Sequence, residues 1–169
     1  MKTHAMNGTN LLDVKLLCDY IVERGGKMAH LKLQKLLYYV QAFHLAWFDR
    51  PLIEDDFQAW LHGPVCRRVF DQYKLKSLLY IEFIYIRVEG EKSPAEVLPR
   101  LVNEDQLNLI NLIIDNYVKM TAAELEELTH GDAPWIDARK GYTEKDHCEE
   151  VISKESMRLF YKRYVLGEK

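Results

Sequence analysis

The chain has 169 residues, 48% of them hydrophobic and 29% charged, so a single soluble domain with its own core is expected. A formal net charge of -3 provides no overall positive field, which argues against nucleic acid or anionic lipid as the main partner. The cysteines Cys18, Cys66 and Cys148 are three and far apart, and the N-terminus lacks an apolar signal core. These features predict a cytoplasmic protein without a disulfide framework or a membrane-spanning segment.

Two helices open the predicted N-terminal lobe, which covers residues 10–88. Asn10 is a suitable N-cap for the first helix, and the Gly25-Gly26 pair ends that helix. The second helix is predicted over residues 31–48, because apolar side chains recur at helical spacing up to Trp47. Lys32, Lys35 and Gln41 lie off this apolar stripe and are expected to face solvent.

The rest of the lobe predicts a small sheet. Residues 57–61 alternate apolar and polar side chains, which is typical of a short strand, and Pro64 suits the first turn of a following helix. Residues 78–88 are rich in Ile, Tyr and Phe and predict a strand that pairs with residues 57–61. A helix is the rival interpretation of residues 78–88.

A C-terminal helical part is predicted over residues 101–166, after a loop at residues 89–100 that contains two prolines and a glycine. The pairs Asn103 with Gln106 and Thr121 with Glu124 resemble capping boxes, so each predicts the start of a helix. A last helix is expected over residues 153–165. The whole chain is therefore read as one α+β domain, predominantly helical, with helices around a small antiparallel sheet or hairpin.

Spacing of the possible ligands predicts no metal site and no cofactor. His62 with Cys66 and His147 with Cys148 are the near pairs, whereas zinc needs three or four ligands in recognisable spacing. The glycines match no phosphate-binding pattern. Neither a metal nor a cofactor is therefore expected.

Two functional classes other than a binding module stay open on the residues alone. A small enzyme could use Tyr39 and His62 with Cys66 or His130 in a pocket between sheet and helices. A transcriptional autoregulator is the other, although no helix-turn-helix with basic recognition residues is evident. Tyr38 and Tyr39 favour a binding module, because two adjacent helical side chains are not expected to face inward together.

Three ordered motifs carry a family resemblance. They are "KLQKLLYYVQ" with "HLAW" after it, "DFQAWLHGPVCRRVFDQY" and "LEELTHGDAPWIDAR". Together they resemble the Panacea domain family of SocA-like and phage-associated GepA-like proteins. The matching residues are Leu33, Gln34, Lys35, Leu36, Tyr38, Gln41, Trp60, Gly63, Pro64, Val65, His130, Pro134, Trp135 and Arg139.

The resemblance implies the antitoxin of a two-gene toxin–antitoxin system and no enzymatic activity. Members neutralise unrelated toxins, including alarmone-synthetase-like enzymes, by direct contact, and one branch delivers its toxin to an AAA+ protease. The stretch at residues 78–100 departs from the family pattern, as a partner-specific surface would. Under this hypothesis the expected toxin contacts are Lys32, Lys35, Tyr39 and Arg67, on a surface shaped by Trp60, His62, Gly63 and Pro64.

Overall fold

A computed structural model describes residues 11–73 and 80–167, and these contain eight α-helices and two small antiparallel sheets. The predicted fold class, α+β and mostly helical, is confirmed. The helices are α1 (Val14–Gly25), α2 (His30–Phe48), α3 (Arg67–Tyr73), α4 (Pro94–Val97), α5 (Glu104–Tyr117), α6 (Ala122–His130), α7 (Ala133–Ala138) and α8 (Lys154–Val165). The strands are β1 (Met28–Ala29), β2 (Phe57–Trp60), β3 (Gly63–Val65), β4 (Glu82–Phe83) and β5 (Val151–Ile152).

Helix α2 is the centre of the fold, because α1, α5, α6 and α8 all pack against it. Of its 19 residues, 15 are buried, so the helix has no solvent-facing side over most of its length. The expectation that Lys35 and Gln41 face solvent is therefore wrong, and both are completely buried. Trp47, expected to be part of the core, lies near the end of the helix and is 55% exposed.

Local capping signals located several helices correctly. Asn103 with Gln106 forms a capping box at the start of α5, and Thr121 with Glu124 forms one at the start of α6. In each box the two residues satisfy one another's backbone amide groups, which otherwise lack a helical partner. Helix α1 begins after Asp13, whose side chain accepts from the amide of Lys15. Asn10, the predicted cap, lies outside the described residues.

The three-stranded sheet has the order β3-β2-β5. Strand β2 confirms the predicted strand, and it forms a hairpin with β3 in which Ala59 is opposite Pro64. Pro64 therefore lies in an edge strand, where its missing amide does no harm, and not in a helix as predicted. Helix α3 begins three residues later, at Arg67.

Strand β4 was assigned the wrong partner from the sequence. It pairs with β1, with Met28 opposite Phe83, and so forms a separate two-stranded sheet. The predicted partner, β2, is already occupied by β3 and β5 on its two edges. Of the predicted strand at residues 78–88, residues 78–79 lie outside the described part of the chain.

The segment predicted as a loop at residues 89–100 contains α4 and a 3-10 turn, Leu98–Arg100. Ser93 and Glu96 form a capping box there, and Pro94 occupies the first turn, where a proline costs no helical hydrogen bond. Helix α4 packs on α1. Within residues 11–73 and 80–167, no helix has both the length and the apolar character needed to cross a bilayer.

Candidate functional site

The residues of the three motifs meet around the β2–β3 hairpin, where their polar atoms bind backbone groups. Five of them define what we call the motif core: Gln34, Lys35, Gln41, Trp135 and Arg139. None of the five is more than 8% exposed, and each donates at least one hydrogen bond to a backbone carbonyl group. Buried polar groups require such partners, so the motif core holds the surrounding loops in place.

The buried side chain of Lys35 stabilises the β2–β3 hairpin next to its turn. Its Nζ donates to the carbonyl oxygen of Pro64 at 3.0 Å, and burial lowers the pKa of its amine to about 7 against the opposing effect of Glu126. Gly63 has φ +102°, and a Cβ there would come within 2.7 Å of both Lys35 Cε and Thr129 Oγ1. Both its backbone angle and this close approach therefore require glycine at position 63.

The two buried glutamines of α2 bind backbone groups of neighbouring segments that lie outside the two sheets. Gln34 accepts from the amide of Cys66 at 2.9 Å and donates to its carbonyl at 3.3 Å. Gln41 accepts from the amides of Leu52 and Ile53 at 2.9 and 3.2 Å and donates to the carbonyl of Ile53 at 2.9 Å. The side-chain amides thus take the place of a neighbouring strand for these buried backbone groups.

Trp135 and Arg139 fasten α7 to strand β2. Trp135 Nε1 donates to the carbonyl of Trp60 at 2.9 Å, and Arg139 Nη1 donates to that of Ala59 at 2.8 Å. Arg139 Nη2 donates, at 2.9 and 2.7 Å, to two carbonyl groups of the loop after α7. Its guanidinium lies 5.0 Å from the centre of the Trp135 ring. The second and third motifs are therefore joined physically.

Asp132 is the residue that sequence reasoning missed at this site. Its Oδ2 accepts from the hydroxyls of Tyr161 at 2.6 Å and Tyr39 at 3.1 Å, and the hydroxyl oxygens of Tyr161 and Tyr38 lie 3.3 Å apart. Burial raises the pKa of the Asp132 carboxyl, although both tyrosine bonds oppose this. The signal was its position directly before Ala133-Pro134, where an aspartate commonly begins a helix.

Two partly exposed histidines, His62 and His130, lie close to the carboxylate of Glu126. His62 Nδ1 is 2.8 Å from Glu126 Oε1, and His130 Nε2 is 4.0 Å from the same oxygen. The His130 ring stacks on Trp135 with a centroid distance of 4.2 Å, and burial lowers its pKa. A cavity of about 430 Å³ lies beside them. Among the described residues, no group of three or more His, Cys, Asp or Glu side chains could hold a metal ion.

The four residues considered for catalysis do not form an activated nucleophile. His62 and His130 are brought together, but Cys66 is buried and its pKa is raised to about 11, chiefly by burial. A reactive thiol needs the opposite shift, towards the thiolate at neutral pH. Tyr39 is also buried, and its hydroxyl is engaged with Asp132.

The structure divides the expected toxin contacts into buried and accessible residues. Lys35, Tyr39, Gly63 and Pro64 are buried, Lys32, Trp60 and His62 are half-buried, and Arg67 is exposed. Tyr38 and Tyr39 are both buried, so the expectation that one of them reaches the surface is wrong, because α5 and α8 cover both faces of α2 there. The apolar motif residues Leu33, Leu36, Val65 and Pro134 are also buried.

Two of the accessible residues, Lys32 and Arg67, already make contacts within the protein. Lys32 Nζ donates to the carbonyl of Val118 at 2.6 Å. Arg67 lies 2.9 Å from a carboxylate oxygen of Glu149, and its guanidinium is 5.7 Å from the centre of the Trp60 ring.

Within residues 11–73 and 80–167, large exposed apolar side chains are most concentrated elsewhere, in residues 80–88, which we call the exposed segment. Its outward side chains are Tyr80, Ile81, Ile84, Ile86 and Val88, which are 67, 53, 58, 75 and 53% exposed. Phe83 and Tyr85, between them, pack against the core. Side chains alternate between the protein and solvent from Phe83 to Ile86, as they do in extended chain. Only Glu82–Phe83 forms a strand, so the strand predicted over residues 78–88 is much shorter than expected within the described residues.

Comparisons with known proteins agree with this picture of the motifs. The family model described as "Antitoxin SocA-like, Panacea domain" matches residues 33–136. The chain is similar to the protein named Antitoxin SocA from Caulobacter vibrioides (strain NA1000 / CB15N), with 23% identity over 129 residues, 73% of this chain and 69% of that protein. No solved structure matches. The chain therefore belongs to the family of SocA-like antitoxins with a Panacea domain.

Proposed function

We propose that this protein is an antitoxin that neutralises a cognate protein toxin by binding it directly, without catalysing a reaction. Membership of the SocA-like family and the likeness to Antitoxin SocA support this role. The three cysteines are free and buried, which suits the reducing cytoplasm as the place where the complex forms.

The exposed segment is the observation that carries the proposal. Monomeric proteins rarely leave a contiguous apolar patch in water unless a partner covers it. Here, five large apolar side chains within nine consecutive residues are each more than half exposed. Covering them would release ordered water and supply the main driving force for association. We therefore expect the toxin to contact residues 80–88.

The motif core supports a binding role over a catalytic one. Its polar side chains are buried and bonded to the backbone, as expected of groups that maintain a fold. A family that binds unrelated toxins needs a constant scaffold and a variable docking surface. The motif core fits the first of these requirements, and the exposed segment fits the second.

Co-expression with the adjacent gene tests this proposal. We expect the product of that gene to arrest growth when it is expressed alone and to be harmless when this protein is present. The two proteins should also copurify as a complex. An adjacent product that is harmless by itself, or that stays lethal despite an equal amount of this folded protein, would contradict the proposal.

A further measurement separates the two ways of neutralising the toxin. If this protein masks the toxin, for example an alarmone-synthetase-like enzyme, the toxin accumulates to its normal amount in an inactive complex. If it delivers the toxin to an AAA+ protease, the amount of toxin falls on co-expression and recovers in a strain without that protease. Immunoblots of the tagged toxin in both strains distinguish masking from delivery.

A further inference from the structure

A groove runs between helix α1 and the exposed segment. It has a volume of about 660 Å³, and its walls include Lys15, Asp19 and Val22 of α1 and Ile84, Ile86 and Val88 of the segment. The α1 residues are spaced at four and three positions, so they share one face of that helix. The groove is therefore bounded by a helix on one side and by extended chain on the other.

The backbone beside this groove offers unused hydrogen-bonding groups. Strand β4 pairs with β1 along one edge, and that pairing ends at Phe83. Within the described residues, the backbone of residues 84–87 makes no hydrogen bond to another backbone group. The carbonyl of Val88, the next residue, accepts from the amide of Glu91 at 3.1 Å. Unpaired extended backbone with an apolar face is a template for another strand.

Among the described residues that line the groove, acidic side chains outnumber basic ones. Burial and then the charges of Glu23, Asp19 and Glu91 raise the pKa of the Tyr85 hydroxyl, and the charge of Arg87 opposes them. Of the nearby cations, Lys15 is 3.6 Å from Asp19, and Arg87 is 3.6 Å from Glu96. Each of these two cations thus faces a carboxylate, and the charged side chains described in the groove wall, Lys15, Asp19 and Glu91, have a net negative charge.

We propose that an extended, apolar segment of the toxin, carrying at least one Lys or Arg, binds in this groove as an added strand along residues 84–87. This mode of binding rests on the antitoxin function proposed above and deepens it. Main-chain hydrogen bonds to the free edge provide the attachment, and alternate side chains of the added strand contact Ile84 and Ile86. The basic side chain faces Glu91 and Asp19, which sets the position of the strand in the groove.

Hydrogen exchange on the complex with the adjacent gene's product tests the mode of binding separately from the function. Successive amides of extended chain point to opposite edges, so an added strand pairs with alternate amides within residues 84–87. These amides should exchange rapidly in the free protein and at least about tenfold more slowly in the complex. A complex that forms and leaves these amides unprotected overturns the added strand but not the antitoxin role. Failure to form any complex overturns both.

Matched variants distinguish backbone pairing from simple apolar contact. Ile86→Pro removes one amide from the proposed ladder, while Ile86→Val keeps the amide and most of the apolar surface. We expect the proline variant to weaken toxin binding by at least about tenfold and the valine variant by less than about threefold. Equal affinities of the two variants, with both folded by circular dichroism, would contradict backbone pairing.

A charge reversal tests the basic side chain of the toxin segment. Glu91→Lys should weaken binding several-fold, and the loss should shrink as salt is raised. Glu89→Lys is the control, because it changes the net charge equally two residues away and Glu89 is not part of the groove wall. An equal loss in both variants would overturn the proposed contact with Glu91. The free protein could instead sediment as a dimer held together by residues 84–87. In that case the added strand comes from a second copy of this chain, and the proposed toxin segment is overturned.

Discussion

The motif core and the exposed segment reverse the usual distribution of polar and apolar groups. In the motif core, an amine, a guanidinium and two carboxamides are buried, whereas in the exposed segment three isoleucines are more than half exposed. The buried polar groups have found backbone partners, so their burial is compensated. The exposed apolar groups have no such compensation among the described residues. The first region therefore maintains the fold, and the second is the surface that we propose for toxin binding.

The largest effect on stability should come from Arg139→Met. This change removes the guanidinium and leaves the carbonyls of Ala59 and Asp146 without a donor, while the carbonyl of Thr143 keeps only the amide of Asp146. We expect the free energy of unfolding to fall by about 4 kcal/mol, measured by urea denaturation. Lys140→Met is the control, because Lys140 is exposed and its loss should change stability by less than about 0.5 kcal/mol. A loss of stability below about 1 kcal/mol for Arg139→Met would contradict the role of Arg139 in holding α7 against strand β2.

A somewhat smaller loss of stability is expected for Gln41→Leu, because this change keeps the side-chain volume and removes the polar atoms of the glutamine. Two amides and one carbonyl of Leu52 and Ile53 lose their partners. We expect unfolding to become easier by about 2–3 kcal/mol. Gln72→Leu makes the same exchange at an exposed position of α3 and should be nearly neutral. If both variants unfold at the same urea concentration, the glutamine does not support the segment as described.

Acid should destabilise the fold through the buried histidines of α2. Burial lowers the pKa of His30 and His44 to about 4, from an ordinary value near 6.5. Between pH 6.5 and 4 the unfolded chain therefore binds protons that the folded protein does not, so stability falls as the pH decreases. The free energy of unfolding should fall by up to about 3 kcal/mol for each histidine as the pH approaches 4.

Urea titrations at pH 7, 5.5 and 4.5 measure this dependence. His44 is hydrogen-bonded through Nδ1 to the carbonyl of Arg50 and through Nε2 to the amide group of Gln106. His44→Gln should reduce the slope of the free energy of unfolding against pH, even if it also changes that free energy at pH 7. His147→Gln, at an exposed position, should leave the slope unchanged. If the slope is the same in the unmodified protein and in both variants, His44 does not contribute to the loss of stability in acid.

Local signals in the sequence predicted most of the helices, because they depend on neighbouring residues. The capping boxes at Asn103 and Thr121 are formed within four residues, and both helices begin there. The burial of Lys35 and Tyr39 could not be predicted in this way, since it follows from helices packing on every side of α2. The pairing of β4 with β1 joins residues more than fifty positions apart, and no local pattern specifies it.

The smallest effect on stability, and the sharpest test of the comparison, is expected for Ile84→Ser combined with Ile86→Ser. Both side chains point into solvent and contribute little to the core, so the free energy of unfolding should change by less than about 0.5 kcal/mol. If the exposed segment docks the toxin, the same double variant should fail to rescue growth and should lose the complex. Ile136→Ser, at another exposed isoleucine that lies on α7, should still rescue. Because the double variant stays folded, a loss of rescue reports on binding alone, while full rescue would place the docking surface elsewhere on the protein.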